Sequence, residues 1–268
     1  MLSSAQLYLR YTGISFKSQM QYKLSFFMMS FGHFMVTGIE ILGILVLFSR
    51  FKSLGEWNLA QVALFYGLIN ISFAIAEAFG RGFDTFSDLV KSGDFDRLLL
   101  RPRTTALQVA SSDIQLMRIG RLLQGLIVLL WAAGALDVAW TFPKVFLLLF
   151  AIFSGVCLFM GLFVIQATIS FWSIETLELM NTVTYGGTEA GQYPISIYQP
   201  WFRKFFTFVV PIACFTYFPI LAILNKQDSV MHSPAWFQWT APICGFVFLL
   251  VTLRIWRFGE RHYRSTGS

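Results

Sequence analysis

The chain has 268 residues, 56% of them hydrophobic and only 13% charged, with a net charge of +6 and a mean hydropathy of +0.63. A soluble globular chain carries about 25% charged residues, so this composition excludes an ordinary water-facing surface and selects the bilayer as solvent. The three cysteines, Cys157, Cys214 and Cys244, lie in apolar runs without metal-ligand spacing, which argues against a disulfide framework or a zinc site.

The first 23 residues carry Arg10, Lys17 and Lys23 and no apolar core. The run that follows exceeds the roughly 7–15 residues of a signal-peptide core, so it is expected to stay as a membrane segment. Residues 5–20 set Leu7, Leu9, Tyr11, Ile14 and Phe16 among basic and small polar residues, a pattern expected of an amphipathic helix lying in the interface. A spanning helix needs about 20 apolar residues. Six segments meet that length: Leu24–Phe48, Leu59–Phe79, Ile119–Trp140, Val145–Trp172, Phe205–Leu224 and Trp236–Trp256. Pro211 and Pro219 predict a kink or break in the fifth. Trp57, Trp140, Trp172, Trp201, Trp236, Trp239 and Trp256 fall at or near the proposed ends, as an interfacial belt requires. The expected fold is therefore an all-α integral membrane protein, one domain over residues 1–268.

Lysine and arginine set the orientation. Sixteen of the 20 flank one side of the proposed spans, and only Arg50, Lys52, Lys144 and Lys226 flank the other. The positive-inside rule places both termini and residues 80–118 in the cytoplasm. The net charge then reads as a topology signal, with anionic lipid headgroups as partners and no nucleic acid.

Residues 80–103 break the apolar pattern with dense acids and bases. A short helix is expected over 82–91, with Phe83, Phe86 and Val90 on one stripe and Asp84 and Asp88 on another. Gly93 is expected to end it in a left-handed turn, and Asp94 to cap a second turn through Phe95, Leu98 and Leu99. On these residues alone the segment is either an interfacial loop resting on headgroups or a knob gripped by a cytosolic partner. Residues 174–203 form a second polar segment, assigned to the same side. There Glu175, Leu177, Leu179 and Met180 suggest a helix that Gly186 and Gly187 break.

Ionisable groups inside spans are costly and mark functional candidates. His33 and Glu40 share a face of the first span, and Glu77 and Asn70 lie in the second. They either line a pathway that attracts a cationic or amphipathic compound, or serve as interhelical glue, with Glu77 reaching Arg81. No catalytic residue set emerges. The phosphate-binding string Gly-x-x-x-x-Gly-Lys-Ser/Thr does not occur, so any ATP chemistry must come from another chain.

The sequence Gly93-Asp94-Phe95-Asp96-Arg97-Leu98-Leu99-Leu100-Arg101-Pro102 resembles a signature of bacterial ABC transporter permeases, in the exporter class of the second ABC type. Tyr193-Pro194-Ile195-Ser196-Ile197-Tyr198, followed by Trp201, Arg203 and Pro211, is a second match, and the amphipathic start is similar to that class's elbow helix. The resemblance implies a permease subunit of the bacterial inner membrane that exports a hydrophobic, amphipathic or cationic compound. It implies a cytosolic ABC ATPase dimer holding ATP and magnesium, and a second related permease, a heterodimer being favoured. It also makes the segment between spans two and three a coupling helix, with Phe83, Phe86, Asp88, Phe95, Asp96, Arg97 and Arg101 as coupling residues. The rival is an ion-coupled secondary transporter. That reading wants an internal repeat and a deep ion site, and the sequence supplies only Glu40.

Overall fold

A computed structural model describes residues 4–173 and 177–263; Glu175 and Arg264 lie outside them. The described residues are almost wholly helical, and Leu54 and Trp57 form an isolated antiparallel bridge. The long helices are α1 (Ser4–Gln19), α2 (Lys23–Arg50), α3 (Leu59–Asp84), α7 (Ile119–Ala135), α8 (Phe142–Ile169), α9 (Leu177–Gly191) and α14 (Ile243–His262). Shorter ones are α4 (Phe86–Lys91), α5 (Asp94–Leu99), α6 (Thr105–Ala110), α10 (Pro200–Lys204), α11 (Ile212–Phe215), α12 (Tyr217–Leu224) and α13 (Ala235–Thr240). Four stretches are long and apolar enough to cross a membrane: Gln6–Arg50, Leu59–Lys91, Leu116–Ala135 and Phe142–Ile169. The pair Pro200–Val209 and Ile212–Leu224, bent by 75°, would make a fifth if it counted as one span.

The first expected boundary to change is the amphipathic start. α1 passes through one turn of 3-10 helix, Met20–Tyr22, into α2, with no loop between them. The combined 45-residue stretch is about 68 Å long at 1.5 Å per residue, against a hydrocarbon core of about 30 Å, so part of it must lie outside the core. α1 is tied to the polar end of the bundle. The Tyr8 hydroxyl donates to the Phe79 carbonyl at 3.0 Å, and the Gln19 amide donates to the Ile114 carbonyl at 2.6 Å.

α3 is the central helix. In its most apolar window 78% of residues are buried, against 11% for the α1–α2 stretch. Between lipid-immersed helices the packing drive comes from close backbone approach at small residues and from interhelical hydrogen bonds. Both are present here. Gly67 of α3 and Gly125 of α7 sit at one crossing, and the Ser72 hydroxyl of α3 bonds the Ile152 carbonyl of α8 at 3.1 Å. Gly120 of α7 lies so close to the Ser30 carbonyl of α2 that a Cβ there would collide with backbone. Gly120→Ala is expected to destabilise by about 1–3 kcal/mol. Gly134→Ala on the same helix, where nothing lies within 4 Å, should be neutral or better. Thermal unfolding of the two variants in detergent checks the contrast.

Two spans end differently from expectation. The third stops at Ala135, not Trp140, because Leu136 turns extended. The sixth is split near Pro242, and α14 carries Arg254, Arg257, Glu260 and Arg261 in its last half, too many charges for the composition of a span.

The larger correction concerns residues 177–224. α9 runs beside α3 toward its start. Tyr185 packs on Phe73 with ring centroids 5.5 Å apart, and Gly191 lies against Ile69. Beyond α9, Ser196 accepts from the Trp57 indole at 3.0 Å. Trp57 stands in the loop between α2 and α3, at the end of the bundle opposite residues 80–118. The C-terminal half of the 174–203 segment therefore reaches that opposite end. The chain then returns inward through α10 and a π-helical turn, Phe205–Val209, until Phe206 and Ile212 lie beside Gly187 midway along α9. It bends at Pro211, and α11 and α12 run back out, where Lys226 donates to the Glu56 carbonyl at 2.9 Å. Phe205–Leu224 is thus half of a hairpin open to one end.

The loop that follows α12 is held by one carboxylate. Asp228 accepts from the amides of Val230 (3.1 Å), Met231 (3.0 Å) and Ser233 (3.1 Å) and from the Tyr217 hydroxyl (3.1 Å). Burial opposes its ionisation, but the bonds from Met231, Ser233 and Val230 outweigh that and hold its pKa below the ordinary value. A depressed carboxylate contributes stability that is present above the unfolded pKa of about 3.9 and is lost as pH falls through the folded value. Asp228→Asn should therefore be less stable than the native chain at pH 7. The gap should close below about pH 4, and unfolding midpoints at pH 7 and pH 3 check it.

Candidate functional site

At the end holding residues 80–118, α3 continues to Asp84, past the expected helix start at residue 82. The chain breaks only at Thr85 and turns into α4. Gly93 takes the left-handed conformation (φ 72°) and joins α4 to α5. Asp94 is the first residue of α5, not its cap. Its carboxylate accepts from the Ser92 hydroxyl at 2.9 Å and pairs with Arg97 at 3.2 Å.

The apolar stripe of this knob points inward, where the sequence pattern alone would allow it to face a partner. Phe83, Phe86, Val90 and Phe95 are buried. Phe86 meets Phe95 and Trp256 edge-on, each at 5.0 Å, and Phe171 at 5.2 Å. Phe83 meets Trp256 at 5.4 Å, and Phe95 meets Tyr263 at 5.0 Å. Edge-to-face pairs of this kind contribute about 0.5–1.5 kcal/mol each beyond their buried area. The cluster clamps α4 and α5 onto α14 and the end of α8. The Trp256 indole also donates to the Thr105 hydroxyl at 3.1 Å, and the Gln108 amide donates to the carbonyls of Leu98 and Arg103, both at 3.1 Å. What remains outside is a small tip. Asp88, Arg97, Leu99, Leu100 and Arg101 are exposed, Leu100 at 86%, and Asp96 is half-buried.

One turn deeper lies a layer of buried charge. Arg118 pairs with Glu77 at 2.9 Å and donates to His33 Nδ1 at 3.3 Å, joining α2, α3 and the start of α7. A guanidinium only donates, so the imidazole accepts at that nitrogen. Arg81 pairs with Asp84, whose other oxygen accepts from the Gln166 amide at 2.9 Å, joining α3 to α8. Arg121 donates to Asn70 at 2.7 Å and lies 4.6 Å from the centre of the Phe73 ring. Higher still, Tyr66 donates to the Thr37 carbonyl at 2.7 Å and to Gln124 at 3.2 Å.

The structure thus brings His33 and Glu77 together through Arg118, and places Asn70 beside them on Arg121. Glu40 is apart and accepts from Gln192 of the segment after α9 at 3.1 Å. Glu77 meets Arg118 rather than the expected Arg81, which is taken by Asp84. Arg118 and Arg121, read from sequence as flanking charges, are the residues that organise the layer. A signal was present: Arg118, Arg121 and Gln124 recur every three residues and open α7 with a polar stripe. Chemically the layer offers no nucleophile beside a base. It offers a set of directional links that tie α2, α3, α7 and α8 to one another at the level just above the knob.

A family model described as ABC-2 family transporter protein matches residues 34–267. No match was found among curated proteins or among solved structures.

Proposed function

The chain belongs to the ABC-2 family of transporter proteins, and from that premise we propose that it is the permease subunit of an ATP-driven exporter in a bacterial inner membrane. Membership makes it a non-catalytic transmembrane transport subunit that associates with an ABC ATPase. In the proposed complex the ATPase is a separate cytosolic dimer that binds ATP and magnesium. A second related permease completes the pathway, and both termini face the cytoplasm. In this reading α2, α3, α7, α8, α9 and the α13–α14 pair are the six crossings, α1 is the interfacial elbow, and α10–α12 are re-entrant from the outer side. The cargo is hydrophobic, amphipathic or cationic, with Glu40, Glu77, His33 and Asn70 as the polar groups nearest its route.

The observation that carries the proposal is the knob. A charged and leucine-bearing tip projects at the end richest in lysine and arginine, while Phe83, Phe86 and Phe95 fix it rigidly to three long helices. A lever needs both a grip and a stiff mount. Asp88, Asp96, Arg97 and Arg101 supply the grip, and the three phenylalanines act as positioning residues for it. In the reconstituted complex, Asp96→Ala or Arg97→Ala should leave membrane insertion intact and abolish coupling between ATP hydrolysis and transport. Full substrate-stimulated ATPase activity and transport in both variants would end this assignment.

A further inference from the structure

We propose that a cleft between the Leu99–Ala106 segment and α14 binds the phosphate headgroup of one anionic phospholipid, with its acyl chains lying along the outer face of α14. The cleft has a volume of 660 Å³ and is lined by Arg103, Arg257 and Arg261 against the single carboxylate of Glu260, with Leu99 and Leu253 among its apolar walls. Arg257 and Arg261 alone outnumber its one carboxylate, so it is complementary to a phosphate. Arg257 and Arg261 are exposed, and neither makes an ion pair or hydrogen bond with any described residue.

The helix face above the cleft argues for a lipid over a soluble phosphate. Ile243, Val247, Leu250, Arg254, Arg257 and Arg261 recur at alternating steps of four and three residues, so they form one stripe, and all six are exposed. Its first three members are apolar and its last three are basic. From Ile243 to Arg254 is about 16 Å of helix, close to half of a hydrocarbon core of roughly 30 Å. The change from apolar to basic therefore falls one leaflet's depth along the helix, where headgroups begin. A soluble anion has no use for the upper half of this stripe, and an acidic protein cannot enter it. The cleft also lies at the end where lysine and arginine concentrate, the side whose leaflet presents anionic lipid.

This inference rests on the chain's being embedded in a bilayer and not on export. Loss of transport in a knob variant would leave it standing. The test uses the full chain purified in detergent with phosphatidylglycerol or phosphatidylcholine as probes, and retained lipid is read by native mass spectrometry. Phosphatidylglycerol should be retained preferentially. Arg257→Gln with Arg261→Gln should lower its retention by roughly thirtyfold, the effect of two basic groups at a headgroup surface. Arg257→Lys with Arg261→Lys should keep most of it, which guards against misfolding as the cause. Val247→Ser with Leu250→Ser, which keeps every arginine, should also weaken it. Lys17→Gln with Lys23→Gln removes as much charge elsewhere. An equal loss there would reduce the effect to general surface attraction and overturn the proposal. Displacement of the lipid by excess inorganic phosphate would make this a free-phosphate site and overturn it too. Unchanged lipid retention in the glutamine pair, with loss of the co-purifying ATPase, would assign the cleft to a protein contact instead.

Discussion

Arg118→Ala is expected to destabilise the chain by about 3–5 kcal/mol, the cost of leaving a buried charge without its partner. Glu77 is 1% exposed and its second carboxylate oxygen has no hydrogen-bond donor, so only the more distant charges of Arg121 and Arg81 remain to offset part of the loss. The same substitution removes the donor to His33, leaving the Tyr66–Thr37 bond to join α3 to α2. Glu77→Gln should be milder, because the amide keeps the shape and carries no charge to strand. The pair itself, however, need not be a net gain. Desolvating two ions offsets much of their attraction, and a shape-conserving apolar replacement of both is often neutral. Glu77→Gln with Arg118→Ala, which leaves no stranded charge, should therefore recover much of the stability lost in Arg118→Ala. Denaturation of the native chain, the two single variants and the double variant in one detergent closes the cycle, and a coupling of about 0.5–3 kcal/mol is expected for groups in direct contact. Strict additivity would mean that the layer does not bind the helices together, and its role as a rigid stage above the knob would go with it.

Residues 177–224 differ from the rest of the chain in how closely their hydropathy tracks their place in the bundle. Spans α2, α3 and α8 were legible because lipid or buried apolar contact surrounds them, so hydropathy and location coincide. α9 was not, because its buried face is small and meets other protein while polar residues fill the rest. It carries Glu178, Asn181, Thr182, Thr184, Thr188 and Glu189, and the residue after it, Gln192, bonds Glu40. A helix this rich in polar residues looks like a water-exposed segment to any count of apolar residues. The reverse error befell Phe205–Leu224. Its residues are apolar enough for a span, but hydropathy records medium and not direction, and only the bend at Pro211 turns the segment back. In the proposed topology Arg203 and Lys204 consequently leave the basic side, which still holds most of the lysines and arginines without them. The same limit applies within the knob. The spacing of Phe83, Phe86 and Val90 correctly marked one stripe, but which body covers a stripe is a tertiary fact. Trp256, Phe171 and Tyr263, more than 70 residues distant in sequence, decide it.

That decision makes Phe95→Ala the most informative change at the knob. Phe95 is fully buried, against Phe86, Phe171, Trp256 and Tyr263. Deleting a buried phenylalanine side chain costs about 3–5 kcal/mol, and four of its ring partners would border the void. α5 has only six residues, and Gly93, its N-cap, supplies no side-chain bond. It cannot hold its own shape, because isolated helices below about 12 residues are marginal. The penalty should therefore appear first as local release of residues 92–103 and only second as global unfolding. Limited trypsin digestion at Arg97 and Arg103 (Arg101 is protected by the following Pro102) reads that release directly. It should accelerate in Phe95→Ala and stay at the native rate in Asp88→Ala, whose side chain is exposed and pairs only loosely with Lys91, at 4.0 Å. Coupling should fall in both, by loss of the mount in one and of the grip in the other. If Phe95→Ala digests at the native rate and still loses coupling, Phe95 touches the partner itself and the inward-facing cluster is not what holds the tip. If it digests faster and coupling is untouched, a stiff mount is not required and the lever fails as a mechanism.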